Sequence, residues 1–189
     1  WRFIMFIQTE DTPNPETLKF MPGENVLKKG TVDFSNKEQS QVSPLASRLF
    51  DVDGVSRVFL GSDFISVTKD SSLDWNTLKP SILTGIMEHY SSGFPVLNDD
   101  ALNNSETNNE EDTETIKQIK DLLETRVRPA VAMDGGDITF CSFEEGVVTL
   151  QMKGACAGCP SSTATLKMGI ENMLRHYIPE VTEVKAAEL

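Results

Sequence analysis

Short apolar runs punctuated by Pro and Gly dominate the first half of the chain, and longer stripes at helical spacing dominate the second. Phe3–Gln8 is an apolar run of strand type. Thr12-Pro13-Asn14-Pro15 predicts a turn, because each Pro pushes the residue before it out of the helical region. Thr17–Met21 then predicts a strand, closed by Pro22-Gly23. Ser43-Pro44 is a helix start, with a hydroxyl at the N-cap and Pro at the first helical position, so Leu45–Phe50 is a short helix. Val55–Leu60 and Phe64–Thr68 flank Gly61-Ser62-Asp63 as a hairpin. Asp74 caps a longer helix running to Tyr90, with Pro80 near its start or bending it, and Gly93 stops it. His89 is expected as a surface or packing residue and Trp75 at the core or its edge.

Beyond residue 115 the pattern sharpens. Ile116, Ile119, Leu123 and Val127 share one face of a helix expected to end near Arg128-Pro129. Asp134-Gly135-Gly136-Asp137 predicts a turn, where glycines are free to adopt positive φ. Ile138–Phe143 and Val147–Met152 are strands around Glu144-Glu145-Gly146. After Gly154-Ala155-Cys156-Ala157-Gly158-Cys159-Pro160 comes a second helical stripe of Leu166, Ile170, Met173, Leu174, Tyr177 and Ile178. A last strand is expected near Val181–Lys185.

Charge separates these two regions. The chain has 189 residues and a net charge of −12, from 17 basic and 29 acidic side chains. Seven of the acidic residues and none of the basic ones fall within residues 98–115. That stretch is rich in Asn, Thr and Glu and nearly empty of large apolar groups, so it cannot bury enough surface to offset its ordering entropy. The expected architecture is two small α+β domains, 1–97 and 116–189, joined by an acidic flexible linker, 98–115. The acidic balance argues against nucleic-acid binding, which needs a cationic surface. No apolar run approaches the ~18 residues of a membrane span, so no membrane partner is expected. Trp1–Ile7 is too short for a secretory core and is not Arg-rich. The chain does not begin with Met, and Met5 is the expected start.

Three cysteines are too few for a disulfide scaffold, and two of them, Cys156 and Cys159, form a CxxC pair. Two thiols at this spacing can face one centre, and Ala155, Ala157 and Gly158 leave space beside them. Pro160 suits the first position of the following helix, which sets Cys159 at a helix N-terminus, where the dipole favours a thiolate. An iron–sulfur cluster ordinarily needs four protein ligands; sharing it between two identical chains would give Cys₄. Two such loops would equally hold zinc. A CxxC at a helix start also serves thiol–disulfide exchange, with Cys156 as nucleophile and Cys159 as resolver, although that fold expects a βαβ context. On spacing alone, cluster, zinc and redox use stand level.

Val127-Arg128-Pro129, Asp134-Gly135-Gly136-Asp137 and GACAGCPSSTATLKMGIENMLRHYIPEV closely resemble the C-terminal NifU domain of the Nfu family of iron–sulfur proteins. MFIQTEDTPNPETLKFMPG resembles the N-terminal domain of the same family. The resemblance covers nearly the whole chain and leaves the acidic stretch outside. It implies a non-enzymatic carrier or late scaffold that receives a [4Fe–4S] cluster from an upstream assembly scaffold and passes it to apo-proteins. It implies Cys156 and Cys159 as the ligands; with two thiols per chain against four needed, the count predicts a homodimer when the cluster is bound. It places the protein in a bacterial cytoplasm first and the mitochondrial matrix second. The N-terminal unit would recognise clients or assembly factors.

Other residues keep simpler expectations. Cys141 lies outside the motif and is expected as a buried thiol. The Asp134–Asp137 turn is expected as a backbone device that helps to shape the cysteine loop at most. Ser161, Ser162 and Thr163 are expected to cap the first helical turn. His176 lies about 17 residues, or ~25 Å of helical rise, beyond Cys159 and should not reach it. Met168 and Met173 are expected to pack.

Overall fold

The hairpin around Gly61-Ser62-Asp63 is the middle of the first sheet. A computed structural model describes residues 5–98, 113–157 and 160–187. The chain divides into two compact units, Trp1–Thr107 and Asn108–Leu189, both α+β. Most of the expected linker, 99–112, lies outside the described residues, as does Cys159.

The first unit contains β1 (Gln8–Asp11), β2 (Thr17–Met21), β3 (Val32–Phe34), α1 (Pro44–Phe50), β4 (Val55–Leu60), β5 (Ile65–Lys69) and α2 (Trp75–Ser92). The strands form an antiparallel sheet in the order β1-β2-β5-β4-β3. Leu18 pairs with Val67 and Phe20 with Ile65, and the same two β5 residues pair with Val58 and Leu60. Alternation puts all six on one face, where they share a core with Leu45, Leu49, Ile82 and Ile86. Local chemistry sets the helix starts. Ser43 is extended and its Oγ accepts the Ala46 N–H at 3.0 Å. Asp74 accepts the Asn76 N–H at 3.1 Å. Gly93, at φ +74°, ends α2. His89 is buried and Trp75 packs at the core edge. Residues 3 and 4 of the expected first strand lie outside the described residues; of the rest, residues 5–7 are not strand, and Gln8 pairs with β2. The short β3 and a 3₁₀ turn at Gln39–Val42 have too few residues to show a period.

The second unit runs α3 (Glu114–Leu122), a π turn (Leu123–Val127), α4 (Arg128–Met133), β6 (Gly136–Glu144), β7 (Val147–Gly154), α5 (Pro160–Tyr177) and β8 (Glu183–Ala186). The sheet order is β6-β7-β8, with β8 parallel to β7 and α5 the crossover between them. Ile119, Leu123, Val127 and Val131 line one core with Ile138, Val148, Leu150, Ile170 and Leu174. The helix does not end at Arg128-Pro129, as its sequence suggests. Pro129 has no N–H to return to the preceding turn, and the wide π turn just before it absorbs that mismatch so that helix continues to Met133. Residues four apart drift about 40° per step on a 3.6-residue helix, and the wider turn lessens that drift, so Val131 still reaches the core.

Two packing expectations are corrected. Met168 is exposed, because it stands about 140° around α5 from Thr163, on the side away from Ile170 and Leu174; Met173 does pack against the core. Cys141 is exposed rather than buried. The β6–β7 register shifts between Phe140 and Ser142, which leaves Cys141 as the extra residue of a bulge. No described helix is long and apolar enough to cross a membrane.

Candidate metal centre

The cysteine loop leaves the end of β7 at Gly154, whose φ of +61° turns the chain out of the sheet. Hydrogen bonds hold its described part. The Ala155 N–H donates to the Gly135 carbonyl at 3.2 Å, and Cys156 N–H to Lys153 O at 3.3 Å. Ala157 N–H donates to Gly154 O at 3.1 Å. Thr163 Oγ1 donates to the Cys156 carbonyl at 3.0 Å, which ties the first turns of α5 back to the loop. Thr163 therefore holds the loop instead of capping its own helix; the side chains of Ser161 and Ser162 lie outside what is described.

Gly136 is the floor under Cys156. A Cβ on Gly136 would stand 2.5 Å from Cys156 Sγ, 2.9 Å from Lys153 O and 3.0 Å from Cys156 N. Only glycine permits so close an approach. The Asp134–Asp137 segment is thus more than a turn: Gly135 supplies an acceptor and Gly136 supplies clearance.

Asp137 is 3% exposed and is gripped by Arg128 through two parallel bonds, Nε to Oδ1 at 2.9 Å and Nη2 to Oδ2 at 3.0 Å. Its Oδ1 also accepts the Ile138 N–H at 2.8 Å. Arg128 Nη1 donates to Glu124, one turn earlier. The hydrogen bonds to Asp137 hold the guanidinium charge firmly in place, against the desolvation that opposes it. Spacing did not single out Arg128 as a support of the loop, and it placed Gly136 and Thr163 only in a turn and a helix cap. Their signal was present in the quoted motifs, but nothing in a linear pattern says that Arg128 reaches Asp137.

Cys156 is buried, and its thiol is pushed up to about 12, first by burial and then by the nearby Asp134 and Asp137 carboxylates. Apo Cys156 is therefore a neutral thiol at pH 7. The helix-terminal thiol expected to ionise readily is Cys159, which lies outside the described residues. Cys141 sits five residues along β6 from Gly136, about 17 Å at ~3.3 Å per residue. Among the described residues, no three His, Cys, Asp or Glu side chains converge as a metal site.

Two family models match the chain in order: "Scaffold protein Nfu/NifU N terminal" over residues 7–93 and "NifU-like domain" over residues 119–185. The mitochondrial NifU-like protein 4 of Arabidopsis thaliana is 51% identical over 98% of this chain and 69% of its own length. The mitochondrial NFU1 iron-sulfur cluster scaffold homolog of Drosophila sechellia is 53% identical over 97% of this chain and 65% of its own length. The chain thus spans about two thirds of the length of these curated relatives. The solution NMR structure of a NifU-like protein from Saccharomyces cerevisiae is 28% identical, covering 49% of this chain and 84% of that one at a TM-score of 0.45. With both models matched in sequence order, and half of the residues shared with these relatives across nearly its whole length, the chain belongs to the Nfu/NifU family of iron–sulfur cluster scaffold proteins.

Proposed function

We propose that this protein carries a [4Fe–4S] cluster held between two copies by Cys156 and Cys159 of each, receives it from an upstream assembly scaffold and passes it to apo-proteins. The observation that carries this reading is the naming of the Drosophila relative as an iron-sulfur cluster scaffold, at 53% identity over 97% of the chain. The chemistry of the loop supports it. Small Ala155 and Ala157 flank Cys156, Gly136 leaves clearance at its sulfur, and two thiols per chain make half of a Cys₄ set. A cluster between two copies has open approaches, so an incoming thiol can exchange ligands stepwise. Separate domains at 1–97 and 116–189, with the acidic stretch 98–115 between them, would let the cluster-bearing unit reach different clients. The role is that of a carrier, without turnover of its own. The relatives named mitochondrial favour the mitochondrial matrix; the bacterial cytoplasm, expected first, has no support among them.

The redox alternative needs Cys156 to attack as a thiolate, whereas burial and two carboxylates hold it protonated. Loading a cluster also needs deprotonation, but there the metal itself compensates the cost. The test is anaerobic reconstitution with iron and sulfide. A broad absorption near ~400 nm, about four irons per dimer and conversion to a dimer are expected. Cys156→Ala and Cys159→Ala each abolish all three, and Cys141→Ser leaves them intact. Zinc in place of iron and sulfide, or catalytic turnover of a disulfide substrate by iron-free protein, overturns the reading.

A further inference from the structure

A carboxylate buried as deeply as Asp137 is costly unless its oxygens are satisfied, and Arg128 satisfies both in fork geometry. Such a buried pair is a poor source of net stability, since apolar residues of similar volume often do as well. What the fork adds is direction: two parallel N–H···O bonds fix one rigid plane against another. Here they fix the start of α4 against the start of β6. Between those starts lie Asp134, Gly135 and Gly136, of which Gly135 accepts the Ala155 N–H and Gly136 underlies Cys156 Sγ. The π turn delivers Arg128 to this position, with Glu124 holding its remaining Nη1.

We propose that Arg128 and Asp137 are positioning residues for Cys156. Their clamp keeps the Gly135-Gly136 floor under the sulfur, so the pair protects the geometry of the site more than the stability of the fold. The inference rests on Cys156 being a cluster ligand, the reading given above.

The test uses the full chain in two variants. Arg128→Met combined with Asp137→Leu replaces the pair by apolar residues, and Arg128→Lys keeps the charge but loses the fork. Three quantities are read: the thermal midpoint, the alkylation rate of Cys156 in apo-protein resolved by peptide mass spectrometry, and the half-life of the reconstituted ~400 nm absorption under a chelator. The double variant is expected to melt near the wild-type midpoint. Its Cys156 should alkylate about tenfold faster and its cluster should decay about tenfold faster, the scale of lost support behind a metal ligand. Arg128→Lys should change both rates in the same direction. A folded double variant with wild-type alkylation and wild-type cluster half-life overturns the proposal. If that variant does not fold, Arg128→Lys decides by the same two rates. If wild-type protein takes up no cluster, the proposed function fails, and the alkylation rates alone decide whether the clamp exists.

Discussion

Replacing Gly136 by Ala isolates the contact on which the cysteine loop rests. The backbone at Gly136 is not in the left-handed region, so alanine meets no conformational strain there and the effect is steric. The new methyl would lie 2.5 Å from Cys156 Sγ, against a comfortable ~3.5–4.0 Å. The sulfur must retreat by about 1 Å. The other two neighbours, Lys153 O at 2.9 Å and Cys156 N at 3.0 Å, are backbone. Lys153 lies in the β6–β7 ladder, where Gly136 pairs with Gly154, and the Cys156 N–H is bonded to the Lys153 carbonyl, so neither yields without disturbing that end of the sheet. Overpacking of this kind costs about 1–3 kcal/mol. For a unit of this size, 2 kcal/mol corresponds to a midpoint lowered by roughly 8–16 °C. Calorimetry on the full chain should show that fall in the second unit alone, with iron uptake on reconstitution sharply reduced. Gly169→Ala is the control: nothing lies within 4 Å of its Cβ position, on the exposed side of α5, so it should stabilise by about 0.5–1 kcal/mol. A Gly136→Ala protein that melts and loads like wild type would refute the idea that Gly136 sets the position of Cys156.

Three further outcomes are expected. Folding raises the Cys156 thiol from 9.0 to about 12, so the native state binds the extra proton and apo stability falls as pH rises from ~9 towards 12, by at most about 4 kcal/mol; denaturant melts of Cys156→Ala should lose that slope. His89 is lowered from 6.5, first by burial and then by Arg48, so its contribution is complete above pH 6.5 and lost on acidification; its Nε2 is buried without a hydrogen-bond partner among the described residues, and His89→Phe should flatten the stability of the first unit as pH falls below 6.5. Ser43→Ala removes the acceptor of the Ala46 N–H and the donor to Val96 O at 2.6 Å, and should cost about 1–2 kcal/mol in a urea titration of the first unit.

Much of the secondary structure was legible because its causes are local. Ser43, Asp74 and Gly93 act within one turn of themselves, and the observed α1 and α2 begin and end where they stand. The hairpin strands and the α5 stripe follow from periods of two and 3.6. Errors arose where a local signal was outweighed by packing. Pro129 predicts a helix end, but the π turn lets helix continue because Val131 has a core to enter. Cys141, mid-strand by pattern, is expelled by a bulge that exists only in the pairing of two strands. Met168 fits an apolar inventory but falls on the wrong side of its helix.

At the site, the sequence by itself determined the donor chemistry, the CxxC spacing and the small residues around it, since these are properties of neighbouring residues. Only the tertiary structure decided how Cys156 is held. Gly136 lies twenty positions before it and Arg128 twenty-eight, and they act because β6 pairs back on β7 and because a wide turn aims a guanidinium at Asp137. An approach so close that a single methyl at Gly136 would collide with Cys156 depends on strand register and helix phase, which are fixed by burial of the whole core and not by any local stretch of the chain.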